Sequence, residues 1–284
     1  MQTSMKLLLT APPDQCRAAL RFGLPVAHVA YRVGGGPHLF RASIPVSVRG
    51  GLMVIDHPVP LRDGRMTFFT TLPDGRGEAG PFCQEVLREC MARGYDGILC
   101  DFEGHPLQVL AQAVRTLGEL TKKRGWPLYV TEAYAPFSDS AIALIPSALS
   151  GGSLRQRLQE AQERFGRDRV ALALQRVAED FFLPSPSGSG TPLSQDELHR
   201  RIHQLSPSIF FSQELCARYF TYMSRESGAH FVLFDDGATL RRKLEAAQSL
   251  DIRTVLAPWP EIADVTVALG LYPAERTRTG QVLR

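Results

Sequence analysis

The chain has 284 residues, 44% hydrophobic and 21% charged, which is enough apolar material for a large core and rules out wholesale disorder. Its 32 Lys and Arg against 29 Asp and Glu leave a formal charge of +3, spread along the chain, so neither a nucleic-acid footprint nor a polybasic membrane arm is expected. No apolar run approaches the roughly 18 to 20 residues that a membrane span needs. The N-terminal stretch has one Lys and a short Leu run before Ala11-Pro-Pro, too little for the ~7 to 15 apolar residues of a secretory signal. Synthesis in the cytoplasm without a signal peptide is therefore expected. The cysteines (Cys16, Cys83, Cys90, Cys100, Cys216) are odd in number and lack zinc spacing, so they read as reduced core residues. No metal and no cofactor is implied.

In chain order, short apolar runs alternate with amphipathic segments. The runs are Lys6–Leu9, Val26–Tyr31, Leu52–Ile55, Gly97–Phe102, Leu128–Thr131, Ala141–Ile145, Val170–Leu174 and Thr254–Ala257. Helical spacing occupies Pro81–Arg93, Leu107–Lys123, Leu154–Arg164 and Leu240–Ser249. Runs that are apolar throughout and separated by helices point to a parallel sheet covered on its outside. A closed (β/α)8 TIM barrel fits that count in one domain of residues 1–284, and a doubly wound open sheet is the alternative. Val33-Gly-Gly-Gly-Pro follows a strand but opens no helix, so it reads as a loop. After the seventh run, Glu179 to Pro192 has the composition of a flexible connector. A short helix near Gln195–Gln204 and the aromatic segments Ile209–Tyr222 and His230–Phe234 follow it. Residues 177–236 are read as a small inserted α+β lobe over one barrel end.

The segment Gly94-Tyr-Asp-Gly-Ile-Leu-Cys-Asp-Phe-Glu carries the chemistry. Strand alternation puts Gly97, Leu99, Asp101 and Glu103 on one face and Ile98, Cys100 and Phe102 on the other. The apolar set suits the helix layer. The opposite set then points into the barrel, with both carboxylates last, at the C-terminal mouth where barrel active sites form. Burial and mutual repulsion should raise one pKa and keep a proton available at neutral pH, as a general acid requires. Acids that cap a helix or pair with Arg are the structural alternative.

Asp96, Gly97, Asp101 and Glu103, placed on the fourth predicted strand, resemble the signature strand of glycoside hydrolase family 18, the chitinase family. Leu99 stands where that family has a middle aspartate, a carboxylate that modulates the charge of the one above it. Phe231 to Trp259 is similar to the closing portion of spore-associated N-acetylglucosaminidase-type members, which end their last strand in Trp. The family also often inserts a lobe after its seventh strand. The resemblance implies a hydrolase of N-acetylglucosamine-containing oligo- or polysaccharide, chitin-like or spore peptidoglycan, in which the sugar's own acetamido group is the nucleophile. It implies that Glu103 is the general acid/base and that Asp101 holds the acetamido group. Trp259 would floor the sugar, Asp96 and Gly97 would be structural, and the protein would be spore-associated.

The family's sixth-strand Tyr is missing, since no Tyr lies between Tyr134 and Tyr219. Tyr134 or Tyr222 would have to reach in. Without such a donor, a non-catalytic glycan-binding or scaffold protein on the same fold is the second expectation. Asp56 and Glu132, after the third and fifth runs, are expected to add polar contacts to the ligand. His199 and His203, four apart, read as a solvated helix face, and Phe210, Phe211, Tyr219, Phe220 and Tyr222 as lobe packing or a groove wall.

Overall fold

The computed structural model describes residues 5–34, 38–42, 44, 46–57, 78–185 and 188–274. The glycine loop expected at Val33 to Pro37 is described only in part, since residues 35–37 lie outside these ranges.

The eight expected runs form eight parallel strands that close on themselves. They are Lys6–Ala11, Val26–Val33, Leu52–His57, Gly97–Phe102, Leu128–Thr131, Ala141–Pro146, Val170–Ala173 and Thr254–Pro258, here called the first to eighth barrel strands. Closure is made by the first strand, which pairs in parallel with both the eighth (Leu8 opposite Leu256) and the second (Thr10 opposite Ala27). The open-sheet alternative is thereby excluded, and the (β/α)8 barrel stands. A short strand, Leu39–Arg41, adds antiparallel to the second barrel strand.

Alternation divides the strand residues between two cores. Leu8, Ala27, Leu52, Val54, Leu99 and Leu144 are among those filling the barrel interior. The opposite set, such as Ile98, Cys100 and Phe102, packs outward against the helices Ala79–Arg93 and Gln108–Lys122. Gly97 is required by close approach. A Cβ there would lie 2.7 Å from Leu52 Cδ2 and 2.9 Å from the Pro127 carbonyl oxygen. Cys16, Cys83, Cys90 and Cys100 are buried free thiols, and desolvation pushes Cys83 and Cys90 up to about 12. Among the described residues no helix is long and apolar enough to cross a membrane.

Between the seventh and eighth barrel strands the chain builds a five-stranded antiparallel sheet and the helix Gln195–Leu205. The expected flexible connector is corrected in part. Its first half is the strand Ala178–Leu183, which pairs with Gly228–Phe234 from Phe234 opposite Ala178 to Ala229 opposite Leu183, and Thr191–Pro192 pairs back onto it. Proline, serine and glycine dominate only the sequence between them. The lobe is tied to the barrel through Asp235, which accepts hydrogen bonds from the Val177 backbone N–H (2.8 Å) and the Thr239 hydroxyl (2.7 Å) and pairs with the fully buried Lys243.

Candidate active site

Inward-facing strand ends meet at the C-terminal mouth around a cavity of about 470 Å³. Asp101 and Glu103 line it, with Thr131, Glu132, Arg157 and Gln175 completing its polar wall. Leu144, Pro146 and Ala173 supply apolar surface. Asp101 and Glu103 leave the fourth strand on one face because Leu99, two residues below Asp101, lies in the barrel interior while Phe102 is packed outward. The inner acid, Asp101, is half-buried and Glu103 is exposed at the rim.

Electrostatics single out the inner carboxyl. Desolvation, then the charges of Asp56 and Glu103, push Asp101 up to about 6. The sequence leads one to expect a raised pKa in this pair, and Asp101, which the barrel wall desolvates, carries one. Asp56, at the end of the third strand, is also raised by burial, against the opposing pull of Arg32, whose Nε lies 3.3 Å from it. Glu132 opens the short 3-10 helix Glu132–Phe137 after the fifth strand and is clamped by Arg157 and, at 3.7 Å, by Arg164. Thr131 donates its hydroxyl hydrogen bond to the Phe102 carbonyl (2.7 Å), fixing the rim of the fourth strand to the fifth.

Three of the expected contacts sit elsewhere. Tyr134 is fully buried: its ring packs edge-on against Phe102 and its hydroxyl accepts the Leu107 N–H at 3.0 Å. The 3-10 turn after the fifth strand points it into the helix layer, away from the mouth. Trp259 also lies outside the barrel interior. It opens the short helix Trp259–Ile262 just past the eighth strand and lies in the outer core, packed on Phe22 with ring centroids 5.0 Å apart. Tyr222 spends its hydroxyl within the lobe, donating to Asp180 (3.0 Å) and accepting from Arg201 (2.9 Å), and does not line the cavity. Asp96 is exposed at the foot of the fourth strand, at the end away from the mouth.

Sequence reasoning missed Arg157 and Gln175. Arg157 belongs to the helix Leu154–Phe165, where it looks like any polar-face residue. Gln175 follows the seventh strand, its N–H donating to Ser147 Oγ at 2.9 Å. Neither carries a motif. His199 and His203 are exposed on their helix, and Phe220 is buried against Phe234 inside the lobe, while Phe210 remains exposed and stacked on Tyr219.

No protein-family model matches the sequence, and no curated protein matches it either. Solved structures do. The spore cortex-lytic enzyme SleL of Bacillus cereus is similar over 94% of this chain and 75% of its own, with 15% identity and a TM-score of 0.66. A chitinase of Chromobacterium violaceum is similar over 95% of this chain and 100% of its own, with 13% identity and a TM-score of 0.66. A human pseudo-chitinase with retained chitooligosaccharide binding is similar over 94% of this chain and 100% of its own, with 11% identity and a TM-score of 0.65. At these identities the likeness is one of fold, and at that level the resemblance to glycoside hydrolase family 18 is borne out: the chain has the barrel of chitinase-like proteins.

Proposed function

We propose that the protein is a glycoside hydrolase of N-acetylglucosamine-containing glycans, chitin-like or spore peptidoglycan, acting by substrate-assisted acid/base catalysis. The observation that carries this reading is the pair Asp101 and Glu103, side by side on one strand face in the mouth cavity of a chitinase-like barrel. Glu103, exposed at the rim, would protonate the glycosidic oxygen as the acetamido carbonyl oxygen of the substrate attacks the anomeric carbon. Asp101, ionised above its midpoint near 6, would accept the acetamido N–H and balance the positive oxazolinium ion. Water activated by Glu103 then opens that ion, and the product keeps its anomeric configuration. Asp56 and Glu132 would shape the polar wall around the sugar, and the likeness to SleL supports an association with spores.

A second reading rests on one observation. No tyrosine is among the described residues lining the cavity, and Tyr134 is locked in the helix layer. A site with no hydroxyl donor for the acetamido oxygen would bind the glycan and turn it over slowly or not at all. Loss of one such donor costs about 10²- to 10³-fold in rate. Incubating the purified protein with chitooligosaccharides and with cortex fragments separates the two. Products that vanish in Glu103→Gln support the hydrolase. Saturable binding without products supports the binding protein.

A further inference from the structure

Three charged residues stand in one row across the mouth. Asp56 on the third barrel strand is in register with Asp101 on the fourth, and Arg32 on the second is in register with Asp56. In-register residues of parallel strands point to the same face, and the neighbouring strands are about 4.8 Å apart. Like charges set directly opposite each other destabilise a sheet, so the Asp56–Asp101 pair needs a compensating arrangement. The backbone provides one. The second strand has a bulge between Val29 and Tyr31, which shifts its register by one residue. Without the shift Tyr31 would face Asp56. With it, Tyr31 turns outward into the buried layer, where its hydroxyl donates to Glu89 at 3.1 Å, and Arg32 reaches Asp56. Bulges commonly re-aim a side chain at a functional rim.

We propose that Asp56 is a positioning residue for Asp101, sharing its proton across the two strands, and that the bulge in the second strand exists to bring Arg32 behind it. The role deepens the hydrolase reading and rests on it for its purpose, but the row itself does not. Other groups facing Asp101 are Glu103 from its own strand and Glu132 and Arg157 from the cavity wall, while Leu99 below it is apolar. While Asp101 holds the shared proton, Asp56 is charged and paired with Arg32; when Asp101 ionises against a bound cationic intermediate, that proton passes across to Asp56. No group leaves the row.

The test is a carboxyl carbon NMR titration of the ligand-free full chain in three forms: wild type, Asp56→Asn and Arg32→Gln. The wild type should show two coupled steps. Asp56→Asn should leave one step for Asp101, lowered by roughly one unit, because a neighbouring negative charge is gone. Arg32→Gln should raise the upper step of the pair by roughly half a unit or more, because a positive charge is gone. Should Asp56→Asn fail to fold, Arg32→Gln decides alone. An Asp101 midpoint unchanged in folded variants overturns the proposal. Both shifts as expected in a protein that binds no oligosaccharide would support the row while overturning the hydrolase reading.

Discussion

Asp101, on the inner face of the fourth barrel strand, and Glu103, just past its end, line one cavity, the first half-buried in the wall and the second exposed above it. The proposed separation of roles follows from depth. A group meeting a charged intermediate profits from a dry wall, while a group passing protons to and from water must reach it. Replacing Glu103 by Gln keeps the shape and removes the proposed proton donor, so turnover should fall by about 10²- to 10⁴-fold with oligosaccharide affinity retained. Product analysis beside calorimetric binding reads both quantities.

On the proposed mechanism, Asp101 would also set the acid limb of activity. Because its midpoint is raised to about 6, the ionised form needed against the intermediate is lost as pH falls through that value. A pH profile of kcat/KM should therefore decline below about pH 6. The same shift acts on stability with the opposite sense. The folded state holds a proton that the unfolded chain releases near the ordinary aspartate value of 3.8, so stability falls as pH rises between about 4 and 6. Asp101→Asn should remove that slope and raise Tm at pH 8 by about 2 to 4 °C, the equivalent of roughly 1 kcal/mol for a chain of this size. Thermal melts at pH 4 and pH 8 check it.

Lys243 and Asp235 form an ion pair with neither side chain exposed to solvent. Removing one partner strands a buried charge. Lys243→Met should cost about 3 to 5 kcal/mol, and Lys243→Met combined with Asp235→Leu should recover part of it. Because Asp235 also receives the Val177 N–H, the double variant should remain less stable than wild type. Denaturant unfolding of the three proteins measures the difference.

Gly97 leaves no room for a side chain between Leu52 and Pro127. Gly97→Ala should destabilise by about 1 to 3 kcal/mol through overpacking. The cost arises at the foot of the strand whose other end carries both acids, so a shifted strand should also lower kcat more than it raises KM. Unfolding together with steady-state kinetics tests this.

Much of the architecture was legible because burial on both faces writes strands as apolar runs, and all eight runs became barrel strands. The placement of Asp101 and Glu103 was legible for the same reason: a two-residue period fixes which side chains share a face. What escaped depended on backbone detail. Trp259 starts a short helix that carries it into the outer core, and a motif read by residue type does not show where the strand ends. Tyr134 is turned away by a single 3-10 turn. The strand Ala178–Leu183 hid behind its proline- and serine-rich neighbour, since its partners lie some fifty residues later. The bulge that brings Arg32 to Asp56 leaves no mark in composition or spacing.

The most direct measurement is binding of a thiazoline analogue of the oxazolinium intermediate to wild type and to Asp101→Asn by titration calorimetry. Tight wild-type binding, weakened at least about tenfold without the Asp101 carboxylate, is the expected result. No binding to either protein, or equal affinity for both, would contradict a site built for an acetamido sugar.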